Sequence, residues 1–277
     1  MRKPRACPET IATMAETLAA FIFCALLSGS AVFGVKLRGW LSEEHLSEHT
    51  LEAIRLVTSL LVTFAALVLS LQLSSVKGAF DTAYRDRNAD ASQLAQLDEC
   101  LRGYGAGADP IRLDLRSYTA GVIASTWPGE QRPAGASYPN TAAMAREGAD
   151  PALGALIARV GRAINGLAPG DTLHANIAAE CRAVYLQVQQ RRWAVIEDVR
   201  GPVSPLFTSV MTFWLMLVFL SFGLQIPRRR LAAIVLAIGI VSISTVMFVI
   251  SDLETHYGGL FGISSASMRD ALAGMAR

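Results

Sequence analysis

Charge is scarce in this chain. Of its 277 residues only 17% are Asp, Glu, Lys or Arg, against roughly 25% in an average soluble domain. The few charges also avoid four long apolar runs, none of which contains an ionisable side chain. That argues against intramembrane proton relays, buried ion pairs and voltage sensing within those runs. A net charge of +2 is too small to imply a nucleic-acid partner. Cysteine is sparse as well: Cys7, Cys24, Cys100 and Cys181 show no C-x-x-C or other metal-ligand spacing and read as unpaired thiols in a reducing compartment. The chain lacks a G-x-S-x-G nucleophile elbow, a P-loop and a dinucleotide glycine fingerprint, so the sequence predicts no enzyme, no catalytic residue and no cofactor. Strand-like alternation of useful length is missing too, which predicts an all-α fold.

What is present in abundance is apolar sequence, 52% of the chain. Leu18–Val35 and Leu56–Val76 are uncharged runs of the length a bilayer core requires, followed much later by Leu206–Ile226 and Leu231–Ser251. The first run follows a basic start with Arg2, Lys3 and Arg5, as a secretory signal would. It is longer than a usual signal core and Arg2 lies well ahead of it, so a membrane span is favoured. The second run does not stop at its polar end. It continues through Lys77, Gly78 and Asp81 into a charged stretch with Leu94, Leu97 and Leu101. One helix over 52–101 would be about 75 Å long, more than twice the bilayer core.

The second run carries the most informative pattern. At 100° per residue Ser59, Thr63, Ala66, Ser70 and Ser74 fall within about 80° of arc, and Lys77 and Asp81 extend the stripe. Small, mildly polar residues let membrane helices approach closely, and taken alone the stripe favours packing. The same residues suit the wall of an aqueous pore, where hydroxyls ease ion dehydration without trapping the ion. The link before this run contains His45-Leu-Ser-Glu48-His49, a match to H-x-x-E-H. A catalytic zinc needs a third ligand and a domain around it, so these read as solvated interfacial histidines and no metal is expected.

Between the second and third runs lies a soluble helical domain, 77–201. Asp109-Pro110 and Asp150-Pro151 read as helix starts, with Ile111, Leu115, Tyr118, Val122 and then Leu153, Ile157, Val160, Ile164 as apolar stripes. Trp127-Pro128 and Gly166 read as stops. Asp171 opens a last helix with Leu173, Ile177, Val184, Val188, Val195 and Val199 on its buried side. Arginines such as Arg85, Arg87, Arg102, Arg112, Arg191 and Arg192 read as a solvated, salt-bridged surface. The last two runs form a hairpin around Pro227-Arg228-Arg229-Arg230, with Gly239, Ser242 and Thr245 suited to close packing.

An even number of spans puts both termini and the soluble domain on one side. Basic residues near the span ends number about nine there and about six on the other, which favours the cytoplasm of a plasma (inner) membrane.

After the fourth run come Asp252, Glu254, His256, Tyr257, Gly259, Ser264, Arg269 and Leu272. Here the sequence resembles the bestrophin-like family of bacterial and plant membrane proteins. Members end the last span with an acidic-Leu-acidic segment, then Pro-aromatic, a Gly, a Ser-containing stretch and an Arg near Ala-Leu. Asp252, Glu254, Tyr257, Gly259, Ser264 and Arg269 match, while His256 stands where Pro is usual. Asp81, Leu97-Asp98, Leu101 and Tyr104-Gly105 also resemble the family pattern. Bestrophins themselves are pentameric ion channels, with paired spans on either side of a cytosolic helical domain. The more distant likeness to them therefore implies a homo-oligomer, a pentamer by resemblance only, in a lipid bilayer and handling inorganic ions. No bestrophin gate or calcium clasp carries over residue by residue. On the residues alone, Asp252, Glu254 and His256 are a start on a cation site, but pairing with arginines of the soluble helices is favoured because a site needs more ligands.

The sequence thus predicts a basic N-terminus over 1–17, a membrane hairpin over 18–76, the soluble domain, a second hairpin over 202–251 and a tail over 252–277. Two functions fit: an ion channel with the second span on its pore, or a membrane-anchored scaffold in which the stripe is packed and dry.

Overall fold

A computed structural model describes residues 8–40, 48–139, 149–200, 205–225, 230–255, 257 and 260–277. The described residues are helical, without a strand: α1 Pro8–Trp40, α2 Glu48–Tyr104, a short 3-10 turn Ala106–Ala108, α3 Asp109–Thr126, α4 Pro151–Asn165, α5 Thr172–Arg200, α6 Pro205–Gln225, α7 Arg230–Glu254 and α8 Ala266–Gly274. The second apolar run and its charged continuation are one helix of 57 residues, about 85 Å long. Gly105 ends it: its φ of 90° lies in the left-handed region that favours glycine.

Contacts divide the chain into two compact units. One comprises the described residues within Ala12–Gly78 and Pro202–Thr255, the other those within Met1–Ile11, Ala79–Gly201 and His256–Arg277.

The first unit holds four helices long and apolar enough to cross a membrane. Within each apolar window only 22% to 28% of the residues are buried by the rest of the chain, so most of that surface is left for lipid or further protein. α1 and α6 approach closely where Gly34 faces Gly223 backbone to backbone. Ser30 Oγ donates to the Met216 carbonyl at 2.5 Å beside it. In α7 the buried face is Ile240, Ser244, Met247 and Ile250. Ser242 and Thr245, expected to pack closely, are exposed, and Gly239 makes only an ordinary contact with Phe219.

The second unit has a single apolar core. Leu94, Leu97 and Leu101 of α2 pack with Ile111, Leu115, Tyr118 and Val122 of α3, Leu153, Ile157, Val160 and Ile164 of α4, and Met268 of α8. Helix starts follow local chemistry. Asp150 caps α4, accepting from the amides of Ala152 and Leu153, and Asp171 Oδ1 accepts from the His174 amide at 2.8 Å. Asp109 is instead the first residue of α3, without a capping bond, and its carboxylate lies 3.8 Å from Arg112.

Three expectations for this unit are corrected. Cys100 and Cys181 are not free thiols but a disulfide joining α2 to α5; their separation of 81 residues has no local signature. Cys24 is free, and Cys7 lies outside the described residues. Arg87 is not on the surface but buried, because aromatic rings from two other segments cover it. Leu173 is exposed rather than buried, since the buried line of α5 begins one turn later and runs through Ala178, Cys181 and Val188.

Candidate functional site

Three faces run along the apolar half of α2. The packed face is Thr58, Ala65, Leu69, Gln72 and Val76, all buried. The stripe of Ser59, Thr63, Ala66, Ser70, Ser74 and Lys77 is exposed at every position. At 100° per residue its centre lies about 125° around the helix from the packed face. A third face, Leu60, Phe64, Leu67 and Leu71, is exposed and large, and it lies beyond the stripe. The small hydroxyl face is therefore not spent on packing against the chain's own spans. Thr63 turns its hydroxyl back to the Ser59 carbonyl at 2.9 Å, which satisfies the donor inside the helix and leaves a low-polarity wall.

Sequence reasoning passed over the packed face. Thr58 Oγ1 donates to the Ile54 carbonyl at 2.7 Å and accepts from Gln225 Nε2 at 2.8 Å, tying α2 to α6. Gln72 is 4% exposed and neither amide atom has a hydrogen-bond partner. The available signal was that Gln72 is the one carboxamide within Leu56–Val76.

The tail residues separate into two groups. Asp252 and Glu254 end α7 in the membrane-helix unit, with Asp252 buried. Tyr257, Ser264 and Arg269 belong to the soluble unit. Gly259 and His256 lie outside the described residues, as does His45 of the H-x-x-E-H match, so neither expectation about those histidines is tested. Among the described residues no three metal-ligating side chains converge.

Arg269 is a clamp. Its guanidinium bonds the Glu130 carboxylate at 2.8 Å and the Gln131 carbonyl at 2.8 Å, and Ser265 Oγ donates to the same carboxylate. Trp127 Nε1 donates to the Ile263 carbonyl at 2.6 Å. Ser264 has a smaller role, accepting from the Ala266 amide at 3.2 Å; its neighbour Ser265, buried, makes the inter-segment bond. At the other end of the soluble helices Asp98, also buried, receives Arg112 on both oxygens at 2.9 and 3.2 Å and Arg102 at 2.9 Å. Arg102 then reaches the Gly274 carbonyl at 3.0 Å, so both ends of the tail are tied to the soluble core.

A long membrane helix running into a helical domain, between two pairs of apolar helices, defines an all-helical polytopic membrane protein. The chain belongs to the bestrophin-like family, whose domain model matches residues 15–268. Two crystal structures of point variants of a bacterial bestrophin homologue from Klebsiella pneumoniae are similar in fold. Each has 14% sequence identity over 92% of this chain and 97% of the other, at TM-scores of 0.63 and 0.61. A crystal structure described as that of a membrane protein matches over the same shares with 11% identity and a TM-score of 0.62. No curated protein matches.

Proposed function

We propose that this chain is the subunit of a homo-oligomeric ion channel in the plasma membrane, with α2 lining the pore through Ser59, Thr63, Ala66, Ser70, Ser74 and Lys77. The observation that carries the reading is the outward position of the whole stripe. A row of small and hydroxyl side chains, separate from both the packed face and the large apolar face, suits an axis shared by several copies. The family membership supports it, because bestrophins are channels.

The test is chloride and potassium flux from liposomes containing purified protein, with Ser70→Leu alongside. A large apolar side chain in a dewetting constriction blocks conduction, so Ser70→Leu is expected to abolish flux while leaving assembly intact. Equal flux from the two proteins removes α2 from the pore. No flux of either ion from folded, inserted protein moves the reading to a scaffold.

The termini and soluble unit are assigned to the cytoplasmic side, on the excess of basic residues there. The Cys100–Cys181 bond weighs the other way, since disulfides persist in oxidising compartments. Ser137, exposed on the soluble unit, decides between them. A Ser137→Cys protein with Cys7 and Cys24 changed to serine is expected to resist a membrane-impermeant maleimide in intact cells and to react after lysis. Labelling in intact cells would put the unit outside.

A further inference from the structure

The soluble stretch of α2 carries an ion pair buried among aromatic rings. Arg87 is 4% and Asp90 3% exposed, and Nη1 of the first lies 3.5 Å from Oδ2 of the second. Asp90 is fourteen residues past Val76, about 21 Å along the helix from the end of the apolar run, and lies in the soluble unit. The Arg87 guanidinium carbon sits 5.4 Å from the Trp127 ring and 4.9 Å from the Tyr257 ring. Those two rings meet edge to face at 5.7 Å. One cation thus gathers α2, the end of α3 and the start of the tail.

Other charged and titratable groups face this box. From α5, Arg192 acts on Asp90 and on the Tyr118 hydroxyl of α3, and Asp198 feels Asp86 and Arg87 of α2. Burial raises the Asp198 carboxyl, with Asp86 adding to the rise and Arg87 opposing it. Burial likewise raises the Tyr118 and Tyr257 hydroxyls, which keeps both neutral. The box is incompletely satisfied: Arg87 Nε, Asp90 Oδ1, Asp198 Oδ2 and the Tyr257 hydroxyl lack hydrogen-bond partners. An ionised, buried carboxylate with one bare oxygen is the costly form of such a group.

We propose that the Arg87–Asp90 pair, boxed by Trp127 and Tyr257, is an acid-locked latch for the C-terminal tail. With a proton on Asp90 the box stays closed and dry; when that proton returns to solvent, water enters and Tyr257 leaves the box. The far part of the tail keeps its own clamp at Arg269 and Glu130, so the latch governs Tyr257 and the Trp127–Ile263 bond.

The direction follows from linkage. In the closed box desolvation outweighs the attraction of Arg87 and Arg192, and the Asp90 carboxyl is pushed up from 3.8 to about 6. In an opened, hydrated box it titrates near its ordinary value. Protons therefore bind the closed form more tightly, and falling pH favours closure between those two values. A surface salt bridge has the opposite sign, because acid breaks it.

The test does not depend on ion conduction. It uses the full chain in detergent micelles with Trp40, Trp193 and Trp214 changed to phenylalanine, so that Trp127 alone emits. His256 adjoins Tyr257 and histidine titrates in the same range, so the series is made in a His256→Gln background. Acrylamide quenching of Trp127 is expected to rise with pH, roughly doubling across the transition as the box opens, with a midpoint between the open and closed values of 3.8 and about 6. Asp90→Asn, neutral at all pH, is expected to stay at the low acid value throughout. Arg192→Gln, at a less buried position, removes a cation that opposes protonation, so the midpoint moves to higher pH. A flat profile in the reference protein overturns the latch. So does an unshifted transition in Arg192→Gln, or a preserved one in Asp90→Asn.

Discussion

Replacing Cys181 with serine is expected to lower the stability of the soluble unit by about 3–5 kcal/mol in oxidised protein. The bond closes a loop of 81 residues, and the chain-entropy model gives roughly 4.5 kcal/mol for a loop of that length. Serine also places a hydroxyl where Cys181 is fully buried against Val188 and the α4 stripe, which adds a desolvation cost. The measurement is urea unfolding followed by Trp127 emission, with Trp40, Trp193 and Trp214 changed to phenylalanine in every protein compared, because Trp127 belongs to the same core. Dithiothreitol should bring the wild type down by a similar amount and leave Cys181→Ser unmoved. Cys24→Ser, a free thiol in α1, should change nothing. If oxidised wild type and Cys181→Ser unfold at the same urea concentration, the α2–α5 tie contributes nothing to stability. The bond acts on α2, the helix whose other half carries the exposed hydroxyl stripe, so its redox state is a stability variable for that helix.

The helices were legible in the sequence because their cause is local. Ile111, Leu115, Tyr118 and Val122 recur at helical spacing, and all four are buried. Asp150 before Pro151 is a capping signal, and it caps. Hydropathy alone marked four runs that correspond to the four long apolar helices. What the sequence hid depends on which helix meets which. Arg87 reads as one more surface arginine in a charged helix, and only Trp127 and Tyr257, distant in the chain, make it a core residue. Cys100 and Cys181 become partners only through the approach of α2 to α5. Leu173 matches the stripe of α5 by periodicity, yet it is exposed, and the buried line starts at Ala178. The α2 stripe is intermediate. Its composition was readable, but whether it packed inward depended on the other helices, and the buried face is instead Thr58, Leu69 and Gln72, with Thr58 tied to Gln225 of α6.

Gly34 leaves the membrane helices no room for a side chain. A Cβ added there would overlap the Leu220 carbonyl oxygen and lie 3.1 Å from Gly223 Cα and 3.1 Å from Leu224 N. Every one of those atoms is backbone, so no side-chain rotation relieves the clash and α1 must move away from α6. A Cβ on Gly223 would in turn overlap the Ala31 carbonyl. Such closeness matters more in lipid than in water. Apolar side chains gain little by leaving one hydrocarbon environment for another, and helix association rests on dispersion and short polar contacts. Here those contacts are the Ser30–Met216 bond and Arg38 Nη1 donating to the Leu224 and Gln225 carbonyls at 3.3 and 3.1 Å, where a cation also suits the C-terminal end of α6. Separating the helices by even an ångström weakens all of them together. Gly34→Val is therefore expected to cost about 3 kcal/mol or more, read as a lower melting temperature in detergent by size-exclusion of heated samples. Gly29→Ala is the matched control, because a Cβ there meets nothing within 4 Å, and it should melt with the wild type. Equal melting of the two variants would mean that α1 and α6 do not meet at Gly34 and Gly223.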